Sequence, residues 1–93
     1  MQANASKLRG PVYISVGAAV LETLREMGGE ARVDALLREI ARRYGRGPRR
    51  VVMRLYPRPG GGYWSPEAEE ALRELEAIGF IERRDGTVKL KRR

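Results

Sequence analysis

The sequence predicts one α+β domain, mainly helical, with three to four helices and a C-terminal β-hairpin. Three observations carry this. Apolar residues recur at helical spacing in separate stretches that stop at glycine. Ser65-Pro66-Glu67 has the pattern of a helix start. Asp85-Gly86 stands between two short alternating runs, the sequence of a type I′ hairpin turn. With 93 residues, 42% of them hydrophobic, the chain has material for about one compact core. Residues 1–10 are expected to form a flexible N-terminal segment, 11–91 the folded domain with its hairpin at about 80–91, and 92–93 a basic end.

Taken in order, Val16, Val20, Leu24 and Met27 step by four, four and three along one helix face. Gly28-Gly29 provides a left-handed stop, and either Pro11 or Ser15 marks the start. Glu30-Ala31-Arg32 is a stub of strand or a turn. A second helix begins near Asp34 as N-cap, carries Leu36, Leu37, Ile40, Ala41 and Tyr44 on its apolar face, and ends at Gly45. Arg38, Arg42, Arg43 and Arg46 lie outside that stripe. In Pro48–Tyr56, Pro48 suits a first helical position and Val51, Val52 and Leu55 share a face, which favours a short helix. Val51-Val52-Met53 is also acceptable strand sequence. Pro57-Arg-Pro-Gly-Gly-Gly62 is loop. The Ser65 helix buries Ala68, Ala71, Leu72, Leu75 and Ile78, and Gly79 closes it. The turn at Asp85-Gly86 then pairs Ile81 with Leu90, Arg83 with Val88 and Glu82 with Lys89, leaving one face largely apolar. Tyr13, Tyr44 and Phe80 are expected in the core, and Tyr63 and Trp64 against Ala68 and Leu72, with nucleic-acid stacking or a subunit contact as the alternative roles of that pair.

Two absences narrow the function. The chain has no Cys and no His, so disulfides, thiolate chemistry, the usual zinc ligands and the commonest proton shuttle are excluded. No spacing of the remaining carboxylates, hydroxyls or lysines suggests an active site, so neither an enzyme nor a cofactor is expected. Gly60-Gly61-Gly62 is followed by no Gly-Lys-Ser/Thr and opens no P-loop. No apolar run approaches the roughly 20 residues of a membrane span. The N-terminus has no basic stretch followed by an apolar one, so a cytoplasmic location without membrane contact is expected.

Charge is distributed in blocks. Sixteen of the 19 basic residues are Arg, within a net charge of +7. A GC-rich genome enriches Arg, and the absence of Cys with a single Asn and a single Gln fits a hot-growing source. Neither explains position. Residues 31–64 hold nine Arg against Asp34 and Glu39, residues 65–79 hold five Glu against Arg73, and residues 80–93 hold six cations against Glu82 and Asp85. The positive potential therefore has a location.

Leu72-Arg-Glu-Leu-Glu-Ala-Ile-Gly79-Phe-Ile-Glu-Arg83, running from a helix into a tight hairpin, resembles the LxxLExxGhIxR passage of small prokaryotic and archaeal winged-helix transcription factors. The resemblance extends from about Val16 to Leu90. It implies a winged helix-turn-helix fold, double-stranded DNA as partner and a role in transcription regulation or as a chromatin-type protein. It also implies that the helix before the wing enters the major groove. This chain departs there, because that helix presents Glu67, Glu69, Glu70, Glu74 and Glu76 around a lone Arg73, and carboxylates repel phosphate. The reading role is expected instead of Pro48–Tyr56, which follows the second helix and a Gly-containing turn in the manner of a helix-turn-helix. The expected nucleic-acid-binding residues are Arg42, Arg43, Arg46, Arg49, Arg50, Arg54 and Arg58, with Arg83, Arg84 and Lys89 on the wing. Structured RNA, as in ribosome-associated winged helices, and a pure protein–protein interaction module are the alternatives. A homodimer is expected through the apolar Val12–Val20 region, with Val12, Ile14, Val16 and Val20.

Overall fold

The computed structural model describes residues 10–91 as an α+β arrangement of three helices and seven short strands. The expected basic end at 92–93, and residues 1–9 of the expected flexible segment, lie outside the described residues. Helix α1 spans Val16–Glu26, α2 Val33–Tyr44 and α3 Pro66–Ala77. Ser15, not Pro11, starts α1, its hydroxyl accepting from the Ala18 amide at 3.0 Å. The helix closes in a Schellman motif: the Gly28 and Gly29 amides donate to the Arg25 and Leu24 carbonyls at 3.2 and 2.7 Å, with Gly28 at φ +92°. Ser65 caps α3 with Pro66 at its first position, and Gly79 and Phe80 repeat the same closure on Glu76 and Leu75.

Helix α2 differs from expectation at its start. Its N-cap is Arg32, and Asp34 lies inside the first turn, its Oδ1 accepting from the Ala35 amide at 2.9 Å. A carboxylate there still complements the helix dipole. At the other end Gly45 sits so close to the Ala41 carbonyl oxygen that a Cβ would meet it at 2.5 Å.

Strands β2 (Glu30–Arg32), β6 (Ile81–Arg84) and β7 (Thr87–Leu90) form an antiparallel sheet in the order β2-β7-β6. Its hairpin has the predicted register, Ile81 opposite Leu90, Glu82 opposite Lys89 and Arg83 opposite Val88. Asp85 and Gly86 turn it with φ of 54° and 78°, as a type I′ turn requires. Helix α1 packs against both α2 and α3. The core gathers Val20, Leu24, Leu36, Ile40, Tyr44, Leu72, Leu75, Ile81 and Val88 from all three helices and the hairpin.

The segment expected to be a fourth helix is not one. Among the described residues Pro48–Tyr56 holds β3 (Arg49–Arg50), irregular chain, and the start of β4 (Tyr56–Pro57). Strand β3 runs parallel to β1 (Val12–Tyr13), with the Val12 amide on the Pro48 carbonyl at 2.7 Å and the Ile14 amide on the Arg50 carbonyl at 2.9 Å. A helix there would place Arg49 and Arg50 at the positive end of its dipole. It would also set the β-branched pair Val51-Val52 in a first turn that is costly to nucleate. The predicted loop Pro57–Gly62 is the tip of a second hairpin, β4 with β5 (Tyr63–Trp64).

Three apolar assignments are corrected as well. Tyr13 is 60% exposed on β1, Ile78 is 60% exposed, and Phe80 is also exposed. Ile78 follows the last helical residue and leaves the helical path at the Schellman turn, so it departs from the buried stripe. Among the described residues no helix is long and apolar enough to cross a membrane.

One polar atom is left unsatisfied in this core: the Thr23 hydroxyl of α1, fully buried and without a partner among the described residues. An unpaired buried hydroxyl costs about 1–3 kcal/mol. Thr23→Val keeps the shape and removes the group, so urea unfolding is expected to show a gain of about 1 kcal/mol. A loss of stability instead would mean that the hydroxyl has a partner.

Candidate nucleic-acid interface

The basic block is laid out by two different local rules. On α2, Arg38 and Arg42 project away from the buried stripe because helical periodicity leaves them there. Arg42 is drawn back along the helix onto Glu39, three residues earlier, through its Nε at 3.1 Å and its terminal nitrogen. Arg43 lies with its guanidinium carbon 6.0 Å from the Tyr44 ring centroid. On β3, strand alternation separates neighbours. Arg49 reaches Glu22 of α1 with two parallel hydrogen bonds of 3.0 and 2.9 Å, and its guanidinium lies 5.8 Å from the Tyr44 ring centroid. The Tyr44 hydroxyl donates to the same carboxylate at 2.7 Å. Arg50 instead curls onto the Gly47 carbonyl at 3.0 Å.

The acidic helix is not turned away from the cations, as a clean segregation of charge would require. Glu67, in the first turn of α3, receives the Arg54 amide at 2.9 Å and the Arg54 Nε at 2.7 Å. Glu69 and Glu76 receive Arg83 at 3.0–3.4 Å. Arg83 therefore does not serve as an outward wing contact. It shares the inward sheet face with its cross-strand partner Val88, so the pleat sends it toward α3, and its side chain is only 24% exposed. Lys89 stands on the outer face with Glu30 and Glu82 as its cross-strand neighbours, which offsets its charge. Beside that row, Thr87 is flanked by Arg84 on β6 and by Arg32 on β2.

Of the ten residues expected to bind nucleic acid, Arg42, Arg49, Arg54 and Arg83 are thus ion-paired. Among the described residues Arg43, Arg46, Arg50, Arg58, Arg84 and Lys89 have no carboxylate within 4.0 Å. Compared with protein-family models, with curated proteins and with solved structures, the chain matches none. The site is therefore argued from its chemistry alone. Three of the available cations, Arg43, Arg46 and Arg50, cluster around the turn between α2 and β3. Arg32 is the residue that sequence reasoning missed. The pairing of β2 with β7, which the sequence did not specify, is what brings Arg32 beside the hairpin.

The region expected to form a dimer surface is divided. Val20 is fully buried in the core, and Ile14 and Val16 are partly buried against it, whereas Val12 and Tyr13 are exposed. Val20 is corrected accordingly: it is not available to a second subunit.

The paired carboxyls report on this geometry. Hydrogen bonds from Arg49 and then Tyr44 lower the pKa of Glu22 from 4.5 to about 2. Those from the Arg54 side chain and amide do the same for Glu67. Burial, followed by the Glu22 hydrogen bond, raises the Tyr44 phenol. A carboxyl whose folded pKa is depressed stabilises the fold above its unfolded value, and that contribution disappears as pH falls toward the folded one. The thermal midpoint is therefore expected to fall between pH 4.5 and about 2. In Glu22→Gln and Glu67→Gln the fall should be shallower over the same interval. Melting curves of the variants that track the wild type at every pH would show the pairs to be unimportant.

Proposed function

We propose that this protein is a winged-helix nucleic-acid-binding protein that binds duplex DNA, as a small transcriptional regulator or chromatin-type protein. The element order supports the fold reading. Setting β1 aside, α1-β2-α2 is followed by α3 and the β6–β7 hairpin, with β2 joining the hairpin through β7. That is the arrangement expected of a winged helix. The chain adds a segment between α2 and α3, which carries β3, β4 and β5.

The observation that carries the functional reading is the set of cations without carboxylate partners on the exposed turn after α2. Arg46 is exposed there, and Arg43 and Arg50 flank it. Guanidinium forks with no carboxylate partner suit phosphate oxygens, and their planar donors also fit guanine edges. The groove-reading role does not fall to α3, whose exposed residues include Glu70 and Glu74 beside Arg73. The wing contributes Arg84, which has no carboxylate within 4.0 Å among the described residues. No helix spans Pro48–Tyr56, so contact there comes from a turn and a strand edge, a geometry that favours phosphates over base edges.

On duplex DNA each neutralised phosphate contributes about −0.9 to the slope of log K against log salt. Anisotropy titrations of a random blunt duplex over a salt series are expected to show the steep dependence of several such contacts. The triple variant Arg43→Ala, Arg46→Ala, Arg50→Ala should weaken binding and reduce the slope by roughly 2.7. Glu70→Ala with Glu74→Ala should leave binding equal or tighter. A triple variant that binds like the wild type overturns the assignment of these residues. Displacement of the duplex by structured RNA at matched salt would transfer the reading to RNA.

A further inference from the structure

The hairpin between α2 and α3 has features that duplex binding by the neighbouring turn does not use. Tyr56 and Trp64 stand directly opposite each other on β4 and β5, their rings 5.7 Å apart and tilted by 37°. Pro57 and Tyr63 form the next pair. All three aromatic rings remain 37–43% exposed. The Tyr56–Trp64 pair supports the short ladder, and aromatic residues grouped and exposed on one hairpin also form the kind of patch that marks an interaction site. The tip is a tight turn, the Gly61 amide donating to the Arg58 carbonyl at 3.0 Å around Pro59-Gly60. Gly60 and Gly61 take φ of 87° and 109°, with open space where a side chain would stand.

Beside this hairpin lies a cleft of about 320 Å³, bounded on its other side by β2 and the wing turn at Gly86. Tyr63, Trp64, Arg58, Arg32, Asp34 and Arg83 are on its walls. That volume is within the range of roughly 300–1,000 Å³ usual for small-ligand sites. Its charges nearly cancel: Arg83 holds Glu69, and the Arg32 Nε lies 4.0 Å from Asp34. Arg58 is the surplus cation. An aromatic side chain beside one uncompensated guanidinium complements a flat heterocycle carrying one negative charge.

We infer that the β4–β5 hairpin is a stacking platform for one unpaired nucleotide at the end of a DNA duplex, with Trp64 against the base and Arg58 on its phosphate. The inference deepens the duplex-binding reading and rests on it for the partner. Stacking of a base on an aromatic side chain does not depend on base identity, so the platform would select for a strand end rather than a sequence. An acidic protein segment would meet the same Arg58 but would have no need of a base-sized cleft.

Trp64 is the single tryptophan of the chain, so its emission reports the site directly. The full-length protein is titrated with a blunt duplex and with the same duplex bearing a three-nucleotide 3′ or 5′ extension. Binding to an extended duplex is expected to be roughly tenfold tighter, in the lower part of what one stacked base contributes. Trp64 emission should be quenched by the extension and little changed by the blunt form. Trp64→Ala should remove the gain without altering blunt-duplex affinity, Trp64→Phe should retain most of it, and Arg58→Ala should lose part of it. Far-ultraviolet circular dichroism checks that each variant is folded. Equal affinity for blunt and extended DNA, or a Trp64→Ala variant that keeps the gain, overturns the inference while leaving duplex binding intact. Quenching by a single-stranded oligonucleotide with no blunt-duplex binding at all would uphold the platform and overturn the duplex reading.

Discussion

A guanidinium with a carboxylate already in reach has its charge offset and two of its five donors engaged before any phosphate arrives, and this competition orders the whole surface. Helix α3 illustrates it. Its Glu67 holds Arg54 of the segment between α2 and α3, and its Glu69 and Glu76 hold Arg83 of the β6–β7 hairpin. The helix that a winged-helix pattern would send into a groove is here a strut between two hairpins. These pairs are half in water, where solvent screening and side-chain entropy leave an ion pair little net stabilisation. The apolar core therefore holds the fold, and the ion pairs decide which basic residues are left over.

The parts legible in the sequence were those whose determinants are local. Ser65-Pro66 and the Gly28 and Gly79 stops act within one turn of chain, and Asp85-Gly86 dictates a register by itself. That register already implied the fate of Arg83, since pairing it with Val88 placed both on one face. The inward pull of the pleat outweighs the general habit of charged wing residues to face water. The segment Pro48–Tyr56 was different. Its partner is β1, a strand far upstream in the chain, and no spacing within nine residues carries a parallel pairing of that range. Tyr13 was misplaced for the same reason, because an edge pair of two residues leaves its side chains outside. Arg49 and Arg50 look alike in sequence, yet one is bound to Glu22 and the other has no carboxylate. Only the strand conformation separates them.

The segment between α2 and α3 is also what makes room for the available cations. Gly45 lets the chain leave α2 across the Ala41 carbonyl, where any side chain would collide. Gly47 then turns with φ of 89°, and Pro48 lends its carbonyl to β1. Arg46 is left at the apex of this turn, flanked by Arg43 and Arg50.

Interlocking of acid and base within one molecule does not cancel its attraction for a polyanion. Each internal pair is neutral, so the net charge of +7 is unchanged by how many pairs form. Seen from beyond a Debye length of about 10 Å at 0.1 M salt, the molecule is screened whatever its pairing. Nearer than that, the field is set by the cations that remain uncompensated. Pairing therefore acts on contact and not on approach. It removes Arg49, Arg54 and Arg83 as first contacts and leaves cations without a carboxylate at the Arg43–Arg50 turn, at Arg58 and at Arg84. A polyanion brought within that range would meet these points first. The carboxylate bonds of the half-exposed Arg49 and Arg54 are weak enough to be exchanged for phosphate once it is in place.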